Sequence, residues 1–320
     1  MNLKTRLYRQ KEKYKRYLQR SKNGHCTVLL YHRVIDLKYD PQQLCVGVDQ
    51  FAKQLEVLKQ SNVFLDIHEF THLLQNNKKF PKNALLISFD DGYADNYNNA
   101  LPVLGSLNLP AVFYVSTAGI GTDNLMWWDE LDLIFKKIKS ENTDISALVK
   151  KHNVADTKSL YKYYLAKCKT AASLDDRNAL LAEIRNIASL AAEDIKDHKM
   201  LTGEELKKLA SSKQVVIGAH TVNHLSLAHI NDISKKEEIE NSVKALSVLG
   251  SKIEHFSFPY GEKINYDEKT IRICKELGLK SVSANYVGYV TKGSDLFSFP
   301  RFVVRNDAPD LLIQKMKEIL

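Results

Sequence analysis

Two adjacent carboxylates, Asp90 and Asp91, close the apolar run Leu85-Leu86-Ile87-Ser88-Phe89 and are followed at once by Gly92. A short apolar run bounded by glycine reads as a buried strand, and the Asp pair falls at its C-terminal mouth. Neighbouring side chains on a strand point to opposite faces, so both carboxylates serve one site only if the chain turns immediately, which Gly92 permits. A plain Asp-Asp-Gly turn is the competing reading. A second run, Val215-Val216-Ile217-Gly218-Ala219, ends in His220-Thr221-Val222-Asn223-His224. Two histidines four apart on one turn can face a single divalent metal. A carboxylate from the Asp pair would complete two nitrogens and one oxygen, leaving positions open for water and substrate, as in a catalytic metal site. The third cluster is Phe256-Ser257-Phe258-Pro259-Tyr260-Gly261, a strand that breaks at a Pro-Tyr-Gly turn. Backbone amides of such a turn can stabilise an oxyanion, although the same residues also make an ordinary turn.

Each polar cluster therefore needs a strand to aim it. Strands are predicted at 27–32, 84–89, 111–115, 215–219, near 255–258, at 279–284 and at 299–304. Between them, helices are predicted at 49–60, 68–76, 95–107 (interrupted by Pro102), 267–277 and 308–319, with capped starts at Thr202 and Ser234. Residues 122–200 show charged, helix-favouring sequence without a strand signal and read as a helical insertion. Trp127 and Trp128 open that region, either to stack on a sugar ring or to pack the first helix down. Asp95 reads as a helix cap. Strands alternating with helices, each strand ending in polar residues, predict an α/β fold: an irregular (β/α)7-type barrel.

Composition sets the remaining bounds. The chain has 320 residues, 44% hydrophobic and 26% charged, enough for a sizeable soluble core. Its four cysteines show no Cys-x-x-Cys spacing, which argues against a zinc or disulfide framework. The net charge of +8 is local: residues 1–22 hold nine cations against Glu12 alone, leaving 37 cations and 37 carboxylates in the remainder. We expect a basic helix or tail over 1–24, and peripheral contact with an anionic membrane through residues 1–22, at about 1 kcal/mol per cation near the surface. The neutral body offers no track for nucleic acid. No run approaches the roughly 18 apolar residues of a membrane span, and no apolar signal core precedes the body, so a cytoplasmic location, peripheral on the inner membrane face, is expected.

Phe-Asp-Asp-Gly, His-Thr-x-x-His and Phe-Pro-Tyr-Gly, in this order and each at a strand end, resemble the first three motifs of the polysaccharide deacetylase (NodB-homology) family of metal-dependent carbohydrate esterases. The resemblance spans about residues 25–120 and 200–310. It implies that Asp91, His220 and His224 bind the metal, that Asp90 is the general base, and that the Tyr260 amide holds the oxyanion. A carboxylate committed to a metal is a poor base, so hydrolysis needs the second one. Family members with a longer third motif carry an Arg before the Pro, where this chain has Ser257-Phe258. Arg301 is the candidate to orient the base instead, with Arg305 second. The family's late Leu-x-His motif is missing after residue 261, but Leu30-Tyr31-His32 has its form at the end of the first strand. First and last strands of a barrel are neighbours, so the permuted arrangement makes His32 the general acid.

The resemblance implies removal of an N-acetyl group from an amino sugar, with zinc the expected metal and cobalt, nickel or iron compatible with the same ligands. A lipid-linked or nucleotide-linked cell-envelope precursor is the expected substrate. Two other readings stay open: a C–N hydrolase of a non-saccharide amide or formamide, and a silent glycan-binding barrel. The other histidines, including His68, His198 and His255, show no ligand spacing.

Overall fold

Short, β-branched and aromatic runs form ten strands around which the rest of the chain is arranged. The computed structural model describes residues 24–318; the predicted basic segment 1–22 lies outside them. In chain order the strands are β1 (Cys26–Tyr31), β2 (Arg33–Val34), β3 (Cys45–Val46), β4 (Val63–Phe64), β5 (Ala84–Phe89), β6 (Ala111–Val115), β7 (Val215–Ala219), β8 (His255–Ser257), β9 (Ser281–Ser283) and β10 (Phe302–Val303). The main sheet runs β10-β1-β5-β6-β7-β8-β9, with β4 beside the start of β5, and every pairing is parallel. The sheet curls until its ends meet through the parallel bridge Ser283↔Phe299. These are the seven predicted strands in barrel order. The two-residue strands β2, β3 and β4 escaped prediction because two residues carry no periodicity.

Alternate residues of the strands face two separate cores. Leu29, Tyr31, Ile87 and Phe89 pack outward beneath helices such as Val48–Lys59 and Asp232–Ser247, in a cluster that includes Phe51 and Ile239. Val28, Leu86, Val112 and Tyr114 fill the barrel, and Ile67, Phe70 and Leu74 of the helix Ile67–Gln75 pack against them. That helix closes the end of the barrel at which the strands begin.

Two helix starts differ from expectation and one agrees. Asn231, not Ser234, caps the helix Asp232–Ser247, its side chain accepting from the Ile233 and Ser234 amides at 3.0 Å each. Asparagine in extended backbone is a stronger N-cap signal than the Ser-x-x-Glu spacing that follows it. Pro102 does not interrupt a helix: a π-turn, Asn96–Ala100, leads into Leu101–Leu107, and the proline occupies the first turn, where its missing N–H has no intrahelical acceptor to serve. Thr202 and Glu205 form the expected capping box.

From Trp127 to Ile195 the chain forms five helices: Trp127–Glu141, Ser146–Lys151, Thr157–Lys169, Leu174–Arg185 and Ala192–Ile195. They share a core of their own, including Trp128, Leu131, Leu160 and Tyr164, which Tyr93 and Met200 join from the barrel side. The insertion is thereby docked on the barrel mouth next to the Asp pair.

Candidate active site

The Asp pair depends on a backbone kink. Asp90 continues the β5–β1 ladder, its N–H donating to the Tyr31 carbonyl at 3.1 Å. The chain then turns sharply: Asp91 has φ +78° and Gly92 φ +87°, and the Gly92 N–H closes on the Asp90 carbonyl at 3.1 Å. A Cβ on residue 92 would meet Val115 Cγ1 at 2.8 Å, so glycine is required by space as well as by conformation. This left-handed step lets both carboxylates face one site.

At the end of β7, His220 and His224 lie on a short non-helical segment. Thr221 (φ +64°) and His224 (φ +52°) are both left-handed, and a loop brings the rings to 4.8 Å between centroids. His220 Nδ1 donates to the Ser257 carbonyl at 2.7 Å, which leaves Nε2 as the free lone pair, 3.5 Å from Asp91 Oδ1. His224 Nε2 lies 3.4 Å from the same oxygen. Such a second hydrogen bond on a ligating imidazole fixes tautomer and ring orientation. Asp91 Oδ2 is buried with no partner among the described residues. A buried carboxylate oxygen left unpaired among two imidazoles fits a divalent cation. Burial opposes ionisation of Asp91, but the His220 and His224 imidazoles outweigh it and hold its carboxyl well below the usual range. Burial also pushes His224 down to about 4, which keeps it neutral, as a metal ligand must be.

The ligand loop is held from two sides. Glu238 accepts from the Val222 and Asn223 amides at 3.0 and 2.8 Å. Arg177, reaching from the insertion, donates to the Asn223 carbonyl at 2.8 Å and the His224 carbonyl at 3.3 Å. Trp128 sets its ring edge-on to His224, 4.7 Å between centroids.

Arg301 meets Asp90 as a two-pronged fork. Its Nη1 and Nη2 reach the two carboxylate oxygens at 2.7 Å each, Nη2 also donates to Ser257 Oγ at 2.8 Å, and Nε to the Ala284 carbonyl at 2.8 Å. Ser257, in the place of the expected Arg, thus carries the hydroxyl that Arg301 and Asp90 share. Burial raises the Asp90 pKa, but Arg301 and then His220 overcome it and keep the carboxylate ionised. Arg305 is directed elsewhere: it donates to the Gln42 and Gln43 carbonyls at the cleft rim. His32 lines the cleft with Asp90 and Asp91, and burial lowers its pKa against the pull of those carboxylates.

Tyr260 occupies a γ-turn (φ +60°), with the Gly261 N–H closing on the Pro259 carbonyl at 2.7 Å. Among the described residues its own N–H has no acceptor. Its hydroxyl donates to the His224 carbonyl at 3.3 Å and accepts from Trp127 Nε1 at 3.0 Å. The resulting cleft, about 400 Å³, has Trp127, Trp128, Leu165 and Lys169 of the insertion as one wall. A larger cavity of about 650 Å³ lies on the other side of Trp127, but it contains neither the Asp pair nor the two histidines, so we place the site in the smaller cleft.

Sequence reasoning missed the supporting network. Arg33 binds Asp95 at 3.0 Å and His198 at 3.1 Å, and its guanidinium covers Tyr93 at 4.2 Å. Tyr93 donates to Asp129 at 2.7 Å and accepts from Trp128 Nε1 at 2.9 Å. Asp95 is therefore an ion-pair partner and not a helix cap, because Arg33 and the Val34 amide claim its oxygens. These partners lie 35 to 165 residues apart, so no local spacing announces them.

The polysaccharide deacetylase family model matches residues 77–162 and 182–282, more than half of the chain, and runs further into the insertion than the motifs alone indicated. A poly-beta-1,6-N-acetyl-D-glucosamine N-deacetylase of Staphylococcus aureus is 24% identical over 309 residues, covering 92% of this chain and 83% of that protein. The Staphylococcus epidermidis enzyme of the same name is 36% identical over 89 residues, covering 28% of this chain and 29% of its own length. Among solved structures, a Streptococcus pyogenes deacetylase in complex with acetate aligns at TM-score 0.60 and 20% identity, covering 92% of this chain and 99% of that one. IcaB from Ammonifex degensii aligns at TM-score 0.60 and 19% identity, with coverages of 92% and 97%.

Proposed function

The chain belongs to the polysaccharide deacetylase family, and from that premise we propose that it hydrolyses the N-acetyl group of an amino sugar in a glycan, with a divalent metal at Asp91, His220 and His224. The observation that carries this reading is the division of the Asp pair. Asp91 faces two imidazoles with an unpaired buried oxygen, whereas Asp90 is claimed by Arg301 and Ser257.

A divalent metal held by Asp91, His220 and His224 would supply Lewis acidity toward the attacking water and the acetyl carbonyl. Asp90 takes the proton of the water; Arg301 fixes both its oxygens and keeps it ionised at neutral pH. The Tyr260 amide donates to the oxyanion, and the left-handed turn pre-sets it for that role. His32 hands a proton to the departing nitrogen, and because burial lowers its pKa, the acid form is lost as pH rises through a range below that of an ordinary histidine. Zinc suits the two-His, one-Asp set, and cobalt, nickel or iron would be accepted.

The shared name of the staphylococcal relatives supports a β-1,6-linked N-acetylglucosamine polymer as substrate. Trp127 and Trp128, edging the cleft, suit a sugar ring better than a small amide. A lipid-linked or nucleotide-linked amino sugar is the second substrate class, motivated by the nine cations of residues 1–22. Peripheral attachment to an anionic membrane would follow from the same segment, and vesicle co-sedimentation of the full chain against a 1–24 deletion tests it. The deciding assay is acetate release from a panel of these amino sugars and simple amides, with and without chelator, for the parent and Asp90→Asn. Full activity in Asp90→Asn removes Asp90 as the base. Activity on simple amides alone overturns the glycan assignment.

A further inference from the structure

Strand β8 carries polar residues at both of its ends. Its last residue, Ser257, serves the catalytic mouth through its carbonyl and hydroxyl. Its first residue, His255, sits fully buried at the opposite end of the barrel, beneath the closing helix Ile67–Gln75. His68 of that helix brings its ring to 5.3 Å from the His255 ring between centroids. With Glu254, one ligand atom from each of the three residues lies within 4.8 Å of the others.

We propose that His68, Glu254 and His255 form a second divalent transition-metal site, remote from the catalytic one. Three features converge on it. Two imidazole nitrogens and one carboxylate oxygen are the donor set that zinc, cobalt, nickel and copper prefer. His255 Nε2 is buried and has no hydrogen-bond partner among the described residues. A bond left unmade by a buried nitrogen is costly, and a ligand there would recover it. The other ring nitrogen, Nδ1, meets Ser281 Oγ at 2.8 Å on the neighbouring strand, the second contact that orients ligating histidines.

The geometry must tighten for a metal to bind. Zinc–nitrogen bonds of about 2.0–2.1 Å place tetrahedral donors roughly 3.4 Å apart. His255 is fixed by burial, but His68 is exposed and free to rotate, and Glu254 is only half-buried. Glu254 must also leave Lys280, which it meets at 2.7 Å. A half-exposed pair of that kind contributes little, so the exchange is not prohibitive. A metal bound here would clip the first turn of the closing helix to β8 and stabilise the barrel from its sealed end, without touching substrate.

The test counts metal on the chelator-stripped full chain by calorimetric titration with zinc, and by cobalt absorption spectra. The parent should take up two equivalents, and His220→Ala/His224→Ala should retain one. Adding His68→Gln to that pair should abolish the remaining equivalent, while His68→Gln alone should keep one equivalent and the parent's metal-free melting temperature. Ser281→Ala should weaken the second site about 10-fold, since it removes the contact that orients His255. Lys280→Gln should tighten it by freeing Glu254. If His68→Gln binds the same number of equivalents as the parent, with the same metal-induced rise in melting temperature, the site does not exist. Because the readout is stoichiometry at a site outside the cleft, this result is independent of whether the chain deacetylates glycans.

Discussion

Replacing Arg301 by glutamine isolates the role of the Asp90 fork. The guanidinium is completely buried, and four of its contacts lie at 2.7–2.8 Å: both Asp90 oxygens, Ser257 Oγ and the Ala284 carbonyl. Its removal strands a carboxylate inside the barrel, and breaking a buried pair in this way costs about 3–5 kcal/mol. At about 2–4 °C per kcal/mol for a chain of this class, the melting temperature should fall by roughly 10 °C. The parent Asp90 has its folded pKa below the ordinary value, so its contribution to stability is present above that value and lost as pH falls through the folded one. In Arg301→Gln, burial is left opposed chiefly by His220, and the Asp90 pKa rises. The sign then reverses: stability is lost as pH rises through the new value, and the deficit against the parent grows toward alkaline pH. Activity loses its base by the same change, a factor of about 10²–10⁴ near neutrality, and should recover partly as pH is raised. Acetate release from pH 5 to 9 and thermal unfolding at acid and alkaline pH measure both effects. Asp90→Asn/Arg301→Gln should be more stable than Arg301→Gln alone, since no charge is stranded. Purely additive stabilities, or an unchanged pH profile in Arg301→Gln, would refute the account.

Three further perturbations probe the support of the site. Asp132, buried beside Tyr161 and Gln42, has its pKa pushed up to about 7, chiefly by burial. Its contribution is therefore complete below the ordinary carboxylate range and lost as pH rises through 7, by at most about 4 kcal/mol. Asp132→Asn should flatten unfolding free energy between pH 5 and 8.5, and an unaltered slope would assign the titration elsewhere. Tyr93→Phe leaves Asp129 and the Trp128 indole without their shared hydroxyl, so it should cost about 1–3 kcal/mol in denaturant unfolding; no loss would mean that the hydroxyl is dispensable. Arg177→Met removes the cation that grips the Asn223 and His224 carbonyls. It should weaken zinc binding at the catalytic set about 10–100-fold in a competition titration, whereas parental affinity would show that Glu238 alone holds the loop.

The barrel was legible because its seven main strands are apolar runs whose polar ends mark the mouth. Three motifs at those ends put Asp90, Asp91, His220, His224 and Tyr260 around one cleft, and His32 and Arg301 arrive from the paired strands β1 and β10. What local sequence conceals is pairing over distance. Arg33 finds Asp95 and His198 only when strand β2, the Asp95 turn and the end of the insertion are folded together. Ser257 looked like a gap in the third motif, because its use depends on Arg301 lying 44 residues later. The four-residue spacing of the histidines does not show that two left-handed residues, Thr221 and His224, bring their rings together.

Those left-handed residues explain why the insertion and the motifs belong to one structure. Among the described residues, ten non-glycine positions have positive φ; five are asparagines, which tolerate it, and Gln43 lies in a rim loop. The other four are Asp91, Thr221, His224 and Tyr260, one or two in each of the three motifs. Left-handed backbone at such residues costs of order 1–3 kcal/mol apiece and persists only where surrounding contacts over-determine it. The contacts are identifiable. Gly92 packs against Val115 next to Asp91, Glu238 holds the loop amides, and the Gly261 carbonyl accepts from the Asn285 amide at 2.7 Å. Arg177, Trp127 and Trp128 supply the rest, and all three come from the insertion. Bare strand ends would leave the two histidines and the Tyr260 amide free to relax away from Asp91. The insertion therefore stabilises the strained geometry of the mouth while it forms one wall of the cleft, so residues that line the cleft also hold the arrangement of Asp91, His220 and His224.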